Sequence, residues 1–310
     1  MIFKKGLRKF VLGSCLLTSV NLLYAQNVSK KKITHMETSV SNNLSKENMQ
    51  FFITGDGCRI AYQIDGDNDK PVLVLSNSIA TNFHMWDAQI TTLGKHFRII
   101  RFDTRGSGAS DHPLGDYSID RMGLDVIELL DYLNIAKVHF CGLSMGGFIG
   151  QWLGIHTPER IDKLILVNTS SHLGPLSQFN NNIKSLRENP DMNGFADMFI
   201  KNWFPKKMIE EKDSIVSVFR DMVLNTNPQG LAGSFAAVRD ADMRKTISLI
   251  PNNTLIIAGK HDLVTKPEDS QRMAATIPDS KLIILPSVHM SNVEYQNDFE
   301  KSLLAFLLVR

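Results

Sequence analysis

Gly142-Leu143-Ser144-Met145-Gly146 sets a serine between two glycines. A serine hydroxyl becomes an effective nucleophile only when a histidine takes its proton and a carboxylate orients that histidine. The serine must also stand exposed at a sharp strand-to-helix turn, where glycines two residues to either side let the backbone approach without Cβ clashes. A five-residue pattern recurs by chance, so its setting carries the reading. Lys137 to Phe140 reads as a short buried strand, and Phe148 to His156 continues with apolar and small residues at helical spacing. In that setting the backbone N–H of Met145 opens a helix, where an unpaired donor and the helix dipole both favour a developing oxyanion.

A serine on such a turn needs an acid and then a histidine further along the chain, each just after a strand. Thr254-Leu-Ile-Ile-Ala-Gly-Lys-His-Asp262 places Asp262 directly after an apolar run, and Leu282-Ile-Ile-Leu-Pro-Ser-Val-His289 places His289 after the next. The expected catalytic set is therefore Ser144, Asp262 and His289. His261 adjoins Asp262 but falls outside that order. The loop after Val167, Asn168-Thr169-Ser170-Ser171-His172, has no carboxylate and cannot supply the acid. The second oxyanion donor should come from Ser76-Asn77-Ser78-Ile79, after the Val72 to Leu75 run, and the Ser78 backbone N–H is the candidate. Asp103-Thr104-Arg105-Gly106 reads as a structural turn with Arg105 in an ion pair, and His84 and Trp86 as groups packed beneath the oxyanion loop. No Cys/His cluster has metal-ligand spacing, and this chemistry requires no cofactor.

The elements that must hold these residues follow from the hydropathy pattern. Gln50 to Ile53 and Arg59 to Gln63 read as a strand pair around Gly55-Asp56-Gly57. Further apolar, β-branched runs occur at Val72 to Leu75, Phe97 to Phe102, Val138 to Cys141, Leu164 to Val167, Thr254 to Ile257 and Leu282 to Leu285. Helical patterns lie between most of them. Ile119, Met122, Val126, Leu129, Leu130 and Leu133, for example, recur at three- and four-residue steps. Continuous apolar strands alternating with amphipathic helices define an α/β chain, with a mostly parallel sheet covered by helices on both faces. Chemistry in such sheets sits at the carboxyl ends of the strands. From about 171 to 245 the strand pattern lapses and the chain reads as helical. This late insertion is expected to cap the strand ends, shape the pocket and exclude water.

Residues 49–310 are enough for one large domain with its own core. The chain before them differs in composition. Lys4, Lys5, Arg8 and Lys9 precede a mostly apolar run from Phe10 to Ala25, which is short and polar for a membrane span and reads as a signal peptide cleaved after Ala25. A lipoprotein site at Cys15 is the alternative. Residues 26–48 are polar and read as a linker. Residues 1–25 carry four positive charges and no acid, so the formal charge of +2 becomes −2 without them. No basic stripe remains to suggest nucleic acid. The expected protein is periplasmic or secreted, with no stable membrane span after cleavage. Cys58 and Cys141 are expected as buried free thiols rather than a disulfide.

With these residues set out, the chain resembles the α/β-hydrolase superfamily, and within it the 3-oxoadipate enol-lactonases of aromatic catabolism. The resemblance runs from about Gln50 to Arg310. It is carried by Val72-Leu-Val-Leu-Ser-Asn-Ser-Ile, His84-Met-Trp-Asp, Asp103-Thr-Arg-Gly, Phe140-Cys-Gly-Leu-Ser-Met-Gly-Gly, Ala236-Ala-Val-Arg-Asp and Val288-His-Met-Ser-Asn-Val-Glu. Ala80 and Ser107 stand where that family tends to have glycine and histidine. The resemblance implies an α/β-hydrolase fold with a helical cap inserted late in the chain. It also implies a serine hydrolase that opens a lactone through an acyl-enzyme, on a small-molecule substrate bearing a carboxylate. Arg239 is then the expected cation for that carboxylate, and Trp203 an expected pocket wall. That family acts in the cytoplasm, whereas this chain reads as exported. Rival expectations are therefore an exported general carboxylesterase, a cofactor-free perhydrolase with the same triad, or a non-catalytic ligand-binding protein that keeps the fold.

Overall fold

A computed structural model describes residues 49–309. The expected signal peptide over 1–25 and the linker over 26–48 lie outside the described residues. Eight strands form one sheet: β1 (Gln50–Ile53), β2 (Arg59–Asp65), β3 (Val72–Ser76), β4 (Arg98–Phe102), β5 (Val138–Leu143), β6 (Ile161–Val167), β7 (Asn253–Gly259) and β8 (Ser280–Leu285). Their order across the sheet is β1-β2-β4-β3-β5-β6-β7-β8. β1 pairs antiparallel with β2 and β2 antiparallel with β4, and every later pairing is parallel. The parallel part is where both faces must be covered, and its central strands are apolar throughout: all six residues of β5 are buried. β1 and β8, at the two edges, are mostly exposed or half-buried.

The crossovers fix which face each helix covers. From β3 the chain passes through α1 (Asp87–Leu93) to β4 on one side, then returns through α2 (Ile119–Tyr132) to β5 on the other. Right-handed crossovers that run in opposite directions put their helices on opposite faces. After β5 the sheet grows in one direction only, so α3 (Met145–His156) and α9 (Pro267–Thr276) join α2. α2 packs on α3, α3 lies on β5 and β6, and α9 lies on β7 and β8. The C-terminal helix α11 (Gln296–Leu307), which follows the short α10 (Ser291–Glu294), packs with α1. The reversal of direction beside β3 and β5 is the topological switch point, where open α/β sheets place their ligand sites.

Five helices separate β6 from β7: α4 (Leu176–Glu188), α5 (Met192–Trp203), α6 (Lys206–Glu210), α7 (Ser214–Leu224) and α8 (Pro228–Asp240). Their starts are written in the sequence. Asp191, Asp213 and Asn227 accept backbone N–H groups at the first turns of α5, α7 and α8, and Pro228 occupies a first-turn position of α8. α4 packs along α8 and α5 along α7. Phe199 joins the pairs, stacking on Phe235 with ring centroids 5.9 Å apart and lying 4.7 Å from Trp203. Among the described residues no helix is long and apolar enough to cross a membrane.

Candidate active site

Between the end of β5 and the start of α3, Ser144 takes the whole turn, with φ 55° and ψ −112°. A residue with a side chain is strained in this region and stays there only where its surroundings over-determine it. Glycine makes those surroundings possible. A Cβ on Gly142 would lie 2.0 Å from the Gly146 carbonyl oxygen, and one on Gly146 would lie 2.4 Å from the Ser76 carbonyl oxygen. Hydrogen bonds complete the constraint. Ser144 N–H donates to Val167 O at 2.9 Å, Gly146 N–H to Asn77 O at 3.0 Å, and the Thr169 hydroxyl to Ser144 O at 2.8 Å.

Asp262 lies just after β7 and His289 just after β8, so two neighbouring parallel strands deliver them to the same sheet edge. His289 Nδ1 is 2.7 Å from Asp262 Oδ2, and both residues are buried to within 1% of full coverage. The carboxylate accepts four further donors: the Thr265 hydroxyl at 2.8 Å, Asn168 Nδ2 at 3.0 Å, and the N–H groups of Val264 and Thr265 at 2.8 and 3.1 Å. Burial by itself would raise the Asp262 carboxyl. The His289 charge and the hydrogen bonds from His289, Asn168 and Thr265 outweigh it and hold the group below the usual carboxylate range. With Nδ1 on Asp262, His289 has Nε2 left for the cavity that it lines together with Ser144. His261, next to Asp262, is exposed and takes no part in that lining.

The expected second oxyanion donor requires correction. Ser78 N–H is directed at the Met85 sulfur, 3.3 Å away, and Ser78 does not line the cavity. Ile79 does, beside Met145. Ile79 and Met145 are therefore the main-chain candidates that face the cavity in place of Ser78 and Met145. The loop is fastened from below. Asp103 accepts the N–H groups of Phe83 at 2.7 Å and Ala109 at 2.8 Å, and its complete burial pushes its carboxyl up to about 6 despite both bonds. Trp86 is fully buried, and His84 Nδ1 stands 3.0 Å from an Asp87 oxygen. Arg105 pairs with Asp125 at 2.7 Å and Asp56 at 2.9 Å, a buried anchor away from the cavity. Cys58 and Cys141 are buried free thiols.

The cavity holds about 300 Å³, the size of a small ligand. Its wall mixes aromatic side chains, Phe148 of α3 and Phe179, Phe199, Trp203 and Phe235 of the cap, with aliphatic and polar ones. Trp203 is thus in the wall. Arg239 is a second correction: it lies outside the lining, with Nε donating to Asp240 at 2.7 Å and its terminal nitrogens to Asn180 and Asp116 at 3.1 Å each. Val238 lines the cavity, and one step along a helix turns the next side chain by about 100°. That rotation carries Arg239 to the surface.

Two positioning groups escaped the sequence reading. Asn168, at φ 40°, donates to Asp262 and to Val288 O at 3.2 Å, and accepts the Ser291 hydroxyl at 2.6 Å. Its signal was an asparagine at a strand end, since asparagine tolerates positive φ better than the Thr and Ser that follow. The carbonyl of Trp203 accepts the N–H groups of both His289 and Met290, at 3.3 Å each. A main-chain acceptor leaves no signal in the sequence. Among the described residues no group of three His, Cys, Asp or Glu is placed to hold a metal ion.

An eight-stranded, mostly parallel sheet with a nucleophile-type turn after β5 and an acid and a histidine after later strands defines a class. The chain belongs to the α/β-hydrolase family, whose model, described as the alpha/beta hydrolase fold, matches residues 71–294. Within that family it is 36% identical over 255 residues to 3-oxoadipate enol-lactonase 2 of Acinetobacter baylyi, covering 82% of this chain and 95% of that protein. Among solved structures, a hydrolase from Pseudomonas aeruginosa is 48% identical, with a TM-score of 0.83, over 84% of this chain and 99% of the other. The enol-lactonase from Burkholderia xenovorans is 34% identical, with a TM-score of 0.81, over 84% and 100%. The protein is an enzyme of the hydrolase class.

Proposed function

We propose that this hydrolase opens a lactone or ester through an acyl-enzyme on Ser144, as an enol-lactonase-like serine hydrolase. His289, oriented by Asp262, takes the Ser144 proton as Oγ attacks the substrate carbonyl carbon. The N–H groups of Ile79 and Met145 receive the oxyanion. The ring C–O bond then breaks, and the departing oxygen takes the proton from His289. An enol released this way tautomerises to a ketone, which removes the nucleophile that could reclose the ring. Water, deprotonated by His289, cleaves the acyl-serine ester and restores the hydroxyl.

The observation that carries this reading is the buried 2.7 Å contact between His289 Nδ1 and Asp262, behind the cavity that Ser144 lines. A hydrolysis assay of 3-oxoadipate enol-lactone beside p-nitrophenyl acetate tests it. Both activities should fall by about 10⁶ in Ser144→Ala, the scale of losing the nucleophile of a triad. Retained turnover in that variant overturns the serine mechanism.

An exported general esterase or perhydrolase is the second reading. It is favoured by the absence of Lys and Arg from the described residues that line the cavity. Serine-dependent turnover of the ester with no opening of the lactone would select it. Export is part of the same proposal, and an N-terminus beginning at Gln26 in protein recovered outside the cytoplasm is the expected result.

A further inference from the structure

Each of two cap helices gives the cavity a phenylalanine and, three residues later, an asparagine: Phe179 and Asn182 on α4, Phe199 and Asn202 on α5. Gln178, exposed at the rim, adds a third carboxamide beside Phe179. Asn182 and Asn202 are half-buried, and none of the three side-chain amides has a hydrogen-bond partner among the described residues. The cations of the same helices face elsewhere. Arg187 of α4 pairs with Asp116 at 2.5 Å, Lys184 extends toward Glu188, and Lys201 of α5 is exposed. Helical spacing thus turns Asn182 and Asn202 toward the cavity and these cations away from it.

We propose that Gln178, Asn182 and Asn202 form a subsite for an uncharged hydrogen-bonding group, such as a hydroxyl, ketone or amide, on the acyl portion of the substrate. The preferred substrate class is then a neutral polar lactone or ester, not a carboxylate-bearing one. Carboxamides offer both donors and acceptors, which suits a group that does both. A carboxylate in this cavity would lose hydration without meeting a Lys or Arg among the lining residues, and an unpaired buried charge is costly. Arg239, the one arginine next to a lining residue, is already committed to Asp116 and Asp240. The inference rests on the serine-hydrolase reading and goes further only in naming what the cap selects.

The test uses two substrates with one ring: 3-oxoadipate enol-lactone and its carboxamide derivative, which replaces the carboxylate by a neutral group of the same shape. Ring opening is followed by mass spectrometry. The amide should show a kcat/KM about tenfold or more above the acid, in line with the discrimination a hydrogen-bonding site provides. Asn202→Leu and Asn182→Leu should lower kcat/KM for the amide by about tenfold, mainly through KM, and by a smaller factor for p-nitrophenyl acetate, with an unchanged thermal unfolding midpoint as evidence of an intact fold. Asn202→Arg should reverse the preference toward the acid, whereas Arg239→Ala should leave both substrates as they were. Preference of the native enzyme for the acid, or equal losses on amide and p-nitrophenyl acetate in the asparagine variants, would overturn the subsite while leaving the serine mechanism standing. Turnover that survives Ser144→Ala would instead overturn the mechanism itself.

Discussion

Beneath the floor of the cavity the Asp262 carboxylate receives His289 and four further donors, and the Ser144 turn is tied to β6 and to the loop after β3. On the roof, Asn182 and Asn202 meet no partner among the described residues, and aromatic packing holds the helices that carry them. The difference separates two jobs. Groups that move protons must be held in one geometry, because a catalytic arrangement displaced by even 1 Å loses much of its rate. Groups that recognise a substituent need only be unsatisfied until the ligand arrives. The floor is therefore sensitive to single hydrogen bonds, and the roof to single changes of chemical type.

After loss of Ser144 itself, the largest effect should come from breaking the floor at its most heavily bonded carboxylate. Asp262→Asn is expected to lower kcat by about 10⁴, because an amide cannot orient the imidazole in the same tautomer. Single-turnover kinetics with p-nitrophenyl acetate would measure it, and a loss of only a few-fold would remove Asp262 from the mechanism. Asn168→Ala should act on the same carboxylate from one step away, lowering kcat about tenfold with KM unchanged, the scale of a buried bond to a charged group. A pH series sharpens that prediction. The Asp262 carboxyl is held below its ordinary value when folded, so it contributes stability above about pH 4 that is lost as pH falls through the lowered folded value. Without Asn168 the lowering is smaller, so the difference in urea midpoint between pH 7 and pH 3 should shrink; an unchanged difference would make Asn168 a spectator.

The smallest expected effect lies at the edge between floor and roof. Ala80 follows Ile79, the proposed oxyanion donor, and sits at φ 58°, a left-handed conformation that costs an alanine about 1 kcal/mol. Ala80→Gly relieves this but frees the unfolded chain by a similar amount, so stability should change by less than about 1 kcal/mol. Thermal unfolding would measure it. A large loss would mean that the buried methyl carries packing which outweighs the backbone strain.

The fold was legible because its signals are local or periodic. β5 and β7 are continuous apolar runs, the glycines around Ser144 are required at fixed offsets, and β1 and β2 flank a glycine turn. The placing of Ser144, Asp262 and His289 just after β5, β7 and β8 could be read from the order of the apolar runs. What failed was orientation within a short stretch. Ser78 and Ile79 are adjacent, and the choice between them depends on Met85, whose sulfur occupies the Ser78 N–H. Arg239 lies one residue beyond a cavity residue, and nothing in the local sequence says where the helix face ends. Asn168 carries no local sign of its part, because an asparagine after a strand does not reveal that it holds a carboxylate from a strand end 94 residues on.

The Trp203 carbonyl, at the end of α5, accepts the N–H groups of His289 and Met290. The cap is therefore not an interchangeable module that could be exchanged to graft a new specificity onto this sheet. A donor cap with different pocket residues would also have to end a helix with its carbonyl at that point, or the histidine loop would lose the acceptor for two of its amides. Selection for new substrates should accordingly proceed by side-chain replacement along α4 and α5, leaving the helix end in place.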